Sequence, residues 1–472
     1  MLFNSFEFIL FFPTVCLLYF LIPHKFRWIF LLLTSYFFYM NWKPVYAVLI
    51  FFSTITTWGC AFLIDKQRHN QKVSKLLLLG SLVINFGILF TFKYFNFINE
   101  TIFEILSDLG LRWNVPNLDL LLPVGISFYT FQAIGYTVDV YRGNIKTEKN
   151  LGIYALFVSF FPQLVAGPIE RAKNLLPQFR QKHVFNYTNA VSGLKQMLWG
   201  FFMKVVVADR VALYVNSVYN NVDYHNGSTF ILATLFFAVQ IYCDFAGYSN
   251  IAIGAARIMG FDLMENFKRP YFSKSISEFW NRWHISLSTW FKDYVYIPLG
   301  GNRVTPPRHL LNLFITFLVS GIWHGANWTF LIWGALHGFY LIIEVLQKKL
   351  TKSEVKNFKQ FGMLQLLLTF TLVLFAWIFF RANSISDAMH VVSQVFTNLS
   401  YPFVGPKTIM FYSLIGITIL LFKEVRDEFY PGKMLLFDNT NVIIRYFSYA
   451  SIVILILLLG VFDGGQFIYF QF

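Results

Sequence analysis

The sequence predicts an all-α polytopic membrane protein, and three observations carry that expectation. Hydrophobic residues make up 56% of the 472-residue chain and charged residues 13%, roughly half the charged share of a soluble protein. Apolar windows of about 20 residues, the length that crosses a hydrocarbon core, recur from one end to the other. The net charge of +14 sits in the loops between those windows, which is the positive-inside pattern of a membrane protein rather than a face for nucleic acid.

Taken in order, the first window, SFEFILFFPTVCLLYFLI, has no basic region before it and no A-x-A site after it, so it reads as a retained helix and not a signal peptide. The second runs about 14 residues to Met40 and is short enough to require tilt or aromatic anchoring. VYAVLIFFSTITTWGCAFLI and LLLLGSLVINFGILFTF follow as spans. The basic segments PHKFR (23–27) and DKQRHNQKVSK (65–75) belong on the cytoplasmic side, and MNWKP (40–44) outside, which puts the N-terminus outside as well. Polar groups then interrupt three apolar runs: VGISFYTFQAIGYTVDVYRG (124–143), SFFPQLVAGPIER (159–171) and VQIYCDFAGYSNIAIGAAR (239–257). Asp244 lies in the middle of the last. Either a buried hydrogen-bonded network or a substrate contact would account for it.

The longest polar interruption, Glu265 to Arg308, holds seven basic and three acidic residues. Within it Phe279, Trp283, Leu287, Trp290 and Tyr294 recur at spacings of four, four, three and four, which predicts one interfacial helix with an aromatic face. Asn281, His284 and Ser288 fall on the neighbouring face. Next come HLLNLFITFLVS and FLIWGALHGFYLIIEVL, joined through SGIWHGANW. Basic stretches flank the pair on both sides, the second being QKKLTKSEVKNFK (347–359), so the two segments enter and return from the cytoplasmic side. Fourteen helical residues, 309–322, reach about 21 Å, and that puts His324 at the apex of a re-entrant pair, deep in the membrane. LLTFTLVLFAWIFF and VIIRYFSYASIVILILLLGVF complete the spans, with KEVRDEFYPGK (423–433) basic between them.

A polar side chain at membrane depth needs a partner or a job. His324 is suited to general-base chemistry, because imidazole accepts a proton near neutral pH; the alternative is a core histidine donating to a carbonyl. His284, in the adjoining polar stretch, raises the functional reading. His337, in the small-residue surroundings WGALHGFYL, reads as a packing residue. Cys16, Cys60 and Cys243 lie inside apolar segments without metal-ligand or CxxC spacing, so no metal site and no disulfide framework are expected. No internal repeat or soluble domain is visible, and residues 1–472 read as a single integral membrane domain.

The stretch NFKRPYFSKSISEFWNRWHISLSTWFKDYVYIPLGGNR, followed by SGIWHGANWTFLIWGALHG, resembles the signature region of the membrane-bound O-acyltransferase family, and its bacterial alginate O-acetyltransferase branch above all. SFYTFQAIGYTVDVYRG, FFPQLVAGPIER, IYCDFAGYSNIAIGAARIMGF, AWIFFRA and the terminal FIYFQF share that look. The resemblance implies a ring of about 10–12 transmembrane or re-entrant helices around a central funnel. It implies His324 as the catalytic histidine and His284 as the second site position. Acyl transfer from a thioester to a hydroxyl also needs donors for the oxyanion and contacts for substrate, and Asn327, Asn281, Asp244 and Arg282 are the candidates. Lys268, Arg269, Arg282, Lys292 and Arg303 are placed to attract an anionic donor, acetyl-CoA or an acylated carrier, or to do no more than set topology. No bound cofactor is expected. The implied setting is the bacterial cytoplasmic (inner) membrane, with lipid around the chain, a polysaccharide acceptor outside, an extracytoplasmic esterase-like partner, and no nucleic acid. Two other readings stand beside it: the D-alanyl transferases of teichoic acid, which share the motifs, and a polysaccharide or lipid transporter, which would favour inverted hydropathy repeats that the sequence lacks.

Overall fold

The structure, a computed structural model, describes residues 1–165, 167–350, 362–433, 436–462 and 467–468. Most of the basic segment 347–359, expected on the cytoplasmic side, lies outside the described residues, as does most of the terminal FIYFQF. The fold is helical, with no strand among the described residues. Among the described residues seven helical stretches are long and apolar enough to cross a membrane: Pro44–Lys66, Gln71–Asp108, Gly227–Ile258, Trp328–Leu350, Gly362–Arg381, Lys407–Phe429 and Val442–Leu459. Their outward faces carry residues such as Leu76, Val83, Leu457 and Leu458, each about 70% exposed, while Ser53, Thr57 and Asn85 are buried. Water would reject that arrangement and lipid favours it, because in lipid the polar groups must find partners within the protein. The chain is an all-α, multi-pass membrane protein.

The described residues form two compact units, 1–194 with 252–264, and 195–251 with 265–472. The first contains α1 (Phe6–Leu21), α2 (His24–Met40), α3 (Ala47–Lys66), α4 (Gln71–Leu89), α5 (Phe95–Asp108), α6 (Ile126–Tyr141) and α7 (Leu151–Ser159). Ser5 caps α1 by accepting from the Phe8 amide. At 17 residues α2 is longer than expected, because Pro23 starts it and the basic His24, Lys25 and Arg27 form its first turn instead of a loop. Beyond α4 a five-residue π turn, Phe90–Tyr94, carries the helix on into α5, well past the apolar window. Polar pairs tie the unit together from inside: Ser53 Oγ donates to Asn85 Oδ1 at 2.5 Å and Tyr154 Oη to Thr57 Oγ1 at 2.8 Å.

Two helices contain residues of both units, α8 (Tyr187–Phe201) and α10 (Gly227–Ile258), with α9 (Asp209–Tyr219) between them in the chain. The second unit continues with α11 (Ile276–Arg282), α12 (Ile285–Phe291), α13 (Pro306–His324), α14 (Trp328–Leu350), α15 (Gly362–Arg381), α16 (Ile385–Thr397), α17 (Lys407–Phe429) and α18 (Val442–Leu459).

The single aromatic helix expected over 275–297 is instead two short helices, α11 and α12, broken at His284. Backbone pairing competes with the helix there and wins: Lys268 N–H donates to the Arg282 carbonyl and Ile285 N–H to the Asn266 carbonyl, both at 2.9 Å. His284 takes φ +44°, the left-handed region, an uncommon state for a residue with a Cβ. The aromatic face is also not interfacial, because Phe279, Trp283, Leu287 and Trp290 are all buried inside the unit.

The pair expected around His324 is present as an antiparallel hairpin, α13 and α14. At 19 residues α13 reaches about 28 Å, more than the 14-residue segment expected, because Pro306 and Pro307 start it three residues earlier and His324 is its last residue. Close packing fixes the hairpin. A Cβ added to Gly321 would lie 2.3 Å from the Phe330 carbonyl oxygen, and one on Gly334 would lie 2.4 Å from that of Phe317. Only glycine lets the two backbones touch.

Candidate active site

His324 ends α13 with its side chain 2% exposed. Its Nδ1 lies 2.7 Å from the carbonyl oxygen of Ser320, one turn back. A carbonyl oxygen can only accept, so Nδ1 carries the hydrogen, and in the neutral ring Nε2 carries the lone pair. Three rings hold the imidazole: Trp333 at 4.7 Å between centroids, Trp323 at 4.9 Å and Phe380 at 5.5 Å. The two readings open at the sequence level turn out to be compatible, since the same carbonyl bond that satisfies a core histidine also prepares Nε2 as a base.

His284, fully buried, is brought to the same place. Its ring meets Trp323 at 6.0 Å and Phe245 at 4.6 Å, so the Trp323 indole contacts both imidazoles. The Asn266 Oδ1 lies 3.2 Å from His284 Nδ1 and also accepts from Ser286 N–H and Ser286 Oγ. With a backbone amide among its donors that atom is an oxygen acceptor, so His284 too carries its hydrogen on Nδ1. His337 is held the opposite way. The Trp280 indole donates to its Nδ1 at 3.3 Å, which leaves the neutral ring's hydrogen on Nε2, and Phe279, Trp280 and Trp333 pack around it. Packing is what its sequence surroundings suggested.

The other candidates divide. Asn281 is exposed and lines a cavity of about 290 Å³ with Ser277, Ser288, Lys292, Thr316 and Ser320. That cavity reaches the residue whose carbonyl holds His324. Asn327 caps α14, accepting from Thr329 N–H and donating to the Asn383 carbonyl at 3.0 Å. Arg282 bridges Glu428 at 2.8 Å and Glu278 at 2.7 Å, and Arg269 meets the other oxygen of Glu428 at 2.7 Å. Burial opposes the charge on Arg269, but the hydrogen bond and charge of Glu428 outweigh it and hold the guanidinium above its ordinary pKa. Asp244 is committed to a buried ion cluster. Lys204 Nζ reaches Asp244 Oδ1 at 2.6 Å and Asp209 Oδ1 at 2.8 Å, while Ile468 N–H donates to Asp244 Oδ2. The neighbour of Asp244 in sequence, Phe245, is one of the rings that pack on His284.

Several residues of this site had escaped the sequence reading. Lys204 was visible as a lone charge in FFMKVVVA. Asn266 gave no signal, because its role rests on a fold-back of the chain. Trp333 looked like one more apolar residue, yet its ring packs on His324 and its indole N–H is buried with no hydrogen-bond partner among the described residues. Such a donor is costly unless something else completes it. No group of three or more His, Cys, Asp or Glu side chains gathers as a metal site among the described residues.

Comparison with known proteins agrees with this picture. The model of MBOAT, the membrane-bound O-acyltransferase family, matches residues 149–386, a range that contains both histidines. The chain is 39% identical over 398 residues to a probable alginate O-acetylase of Pseudomonas aeruginosa, covering 84% of this chain and 75% of that one. It is 36% identical over 449 residues to a peptidoglycan O-acetyltransferase of Helicobacter pylori, covering 89% and 79%. A teichoic acid D-alanyltransferase of Streptococcus thermophilus is 32% identical over 259 residues, covering 52% and 62%.

Proposed function

The chain belongs to the membrane-bound O-acyltransferase family and is an O-acyltransferase; on that premise we propose that it moves an acetyl group from a cytoplasmic thioester to a hydroxyl of an extracytoplasmic polysaccharide. The observation that carries the reading is the bond from His324 Nδ1 to the Ser320 carbonyl. It leaves Nε2 to take the proton of the attacking hydroxyl. The hydroxyl oxygen bonds to the thioester carbonyl carbon, the carbonyl becomes a tetrahedral oxyanion, and its collapse expels a thiolate that regains the proton from His324. Atoms and charge balance with no other reactant.

The buried indole N–H of Trp333, whose ring packs on His324, is the donor we assign to the oxyanion. His284 in its neutral form presents an acceptor at Nε2, so its task is to orient a substrate N–H or O–H, and contact with the oxyanion requires its imidazolium. The cavity at Ser320, about 290 Å³, is near the low end of small-molecule sites. It suits the slender thioester arm that acetyl-CoA and acylated carrier proteins share, with the bulk of either donor left outside. Lys292 in its wall suits their phosphate.

The same reading places the protein in the bacterial cytoplasmic membrane, with an esterase-like partner outside. Mass spectrometry of surface glycans from cells with and without the protein tests it. Loss of O-acetyl groups is the expected result. An unchanged glycan would overturn the proposal, and loss of D-alanyl esters instead would move it to the other acyl group of this family.

A further inference from the structure

A second cavity, of about 660 Å³, lies between the membrane-crossing helices α17 and α18, with Trp199 of α8 in its wall. It shares no residue with the cavity at Ser320, and its volume is that of a small-molecule site. Its two ends differ in chemistry. Away from the loop that joins the helices it is lined by Ile419 and Phe422 of α17 and by Phe447, Ile452 and Leu455 of α18. Toward that loop the lining is Lys423, Arg426, Asp427 and Asp438.

The charged end is held in place by its own contacts. Lys423 Nζ reaches Asp427 Oδ2 at 2.7 Å and lies 4.7 Å from the centre of the Trp199 ring, while Arg426 Nη2 reaches Asp427 Oδ1 at 2.6 Å. Two cations on one carboxylate leave a positive charge in excess. Across the groove Asp438 pairs with Lys195 at 2.6 Å yet stays 67% exposed. Its loop is fixed as well, because Tyr449 Oη donates to the Phe437 carbonyl at 2.8 Å and the two rings pack at 5.5 Å.

Location and charge together name an occupant. Phe422 and Phe447 are 50% and 72% exposed, so the apolar end is open to the lipid around these helices. From Phe447 to Leu455 the groove follows α18 for about 12 Å, within one half of a ~30 Å hydrocarbon core. The basic segment 423–433 puts its charged end at the cytoplasmic face. There the described lining carries two cations and two anions, which favours a headgroup bearing both signs over one with a net charge. A phosphodiester accepts from Lys423 and Arg426, and a primary ammonium donates to Asp438.

We propose that this groove binds one molecule of phosphatidylethanolamine from the cytoplasmic leaflet, with its phosphate at Lys423 and Arg426, its ammonium at Asp438 and an acyl chain along α18. The other face of α17 carries Glu424, which accepts from Tyr242 Oη at 3.0 Å, and Glu428, which bridges Arg269 and Arg282. A lipid seated in the groove therefore braces the helix that holds those arginines.

Purified full-length protein, stripped of lipid in detergent, tests this by titration with phosphatidylethanolamine, phosphatidylcholine and phosphatidylglycerol of identical acyl chains. Native mass spectrometry counts the bound lipid and thermal unfolding follows stability. One phosphatidylethanolamine per chain is expected, held about 10-fold more tightly than either other lipid, the low end of a charge-assisted hydrogen bond, with a raised melting temperature. Asp438→Asn, at a mostly exposed side chain, should bring phosphatidylethanolamine and phosphatidylcholine to parity. Lys423→Gln with Arg426→Gln should weaken all three. Equal retention of the three lipids by the wild type overturns the proposal, as does a preference for phosphatidylglycerol, which would make the groove a site for anionic lipid. A preference for phosphatidylethanolamine that survives Asp438→Asn overturns the ammonium contact and with it the assigned headgroup. None of these readouts depends on acyl transfer, so their failure leaves the enzymatic reading untouched.

Discussion

His324 donates from Nδ1 to the carbonyl oxygen of Ser320, four residues earlier on the same helix, at 2.7 Å. The bond sets the tautomer and aims the other nitrogen at once. Replacing His324 by Gln removes the proton acceptor, so kcat should fall about 10²- to 10⁴-fold with thioester binding little changed. His284→Gln should retain measurable activity under the same assay. The reverse ranking of the two variants would exchange the roles assigned here.

Asn266 is the residue that organises His284, because one side-chain oxygen accepts three hydrogen bonds there. Asn266→Ala strands those donors in a buried place, each at a cost of roughly 1–3 kcal/mol if left unmade. Both melting temperature and activity should drop. Asn266→Asp keeps the acceptor and should recover most of each, so equal damage from the two variants would argue against the acceptor role.

Trp333→Phe keeps the ring against His324 and removes only the N–H. If that hydrogen meets the oxyanion, kcat should fall on the order of 10²-fold while KM and melting temperature stay close to wild type. A variant with unchanged kcat would exclude the indole as the donor.

Gly321→Ala places a methyl 2.3 Å from the Phe330 carbonyl oxygen. Backbone has to move, so a destabilisation of about 1–3 kcal/mol is expected, with activity lost in step as the His324 turn shifts. Thermal unfolding in detergent measures the first effect. A fully stable, fully active Gly321→Ala protein would mean the hairpin is looser than its geometry.

Sidedness can be read by labelling. A cysteine in place of His69, in the basic turn between α3 and α4, should resist a membrane-impermeant thiol reagent applied to intact cells. Labelling from outside would invert the topology on which the proposed direction of transfer depends.

Much of this was legible in the sequence because membrane insertion is written in composition. Apolar windows located the spans, and two histidines in polar-aromatic surroundings marked the candidate site, where both rings meet Trp323. What failed to show were contacts between segments far apart or folded back. The aromatic spacing from Phe279 to Trp290 was real, since those side chains do pack inward, yet period alone could not reveal that residues 266–268 pair with 282–285 and split the helix. Asp244 left two readings open, and its ion cluster supplies a structural one, through a lysine 40 residues away in the chain. The length of α2 was underestimated because basic residues were read as loop where Pro23 lets them begin a helix.

One consequence of where α13 stops concerns charge. The carbonyls of its last turn point past His324 with no amide of that helix to meet them, so the ring sits at the negative end of the helix macrodipole. His284 stands at the opposite kind of place, the N-cap of α12, where the dipole is positive. In the proposed mechanism the imidazolium formed when a hydroxyl proton reaches His324 would lie at a helix end suited to hold it, an effect of about 0.3–1 kcal/mol at exposed sites and up to ~2 in partly buried ones. On that proposal, by ending at His324 the helix itself would act as counter-charge to the intermediate, where a triad would use a carboxylate.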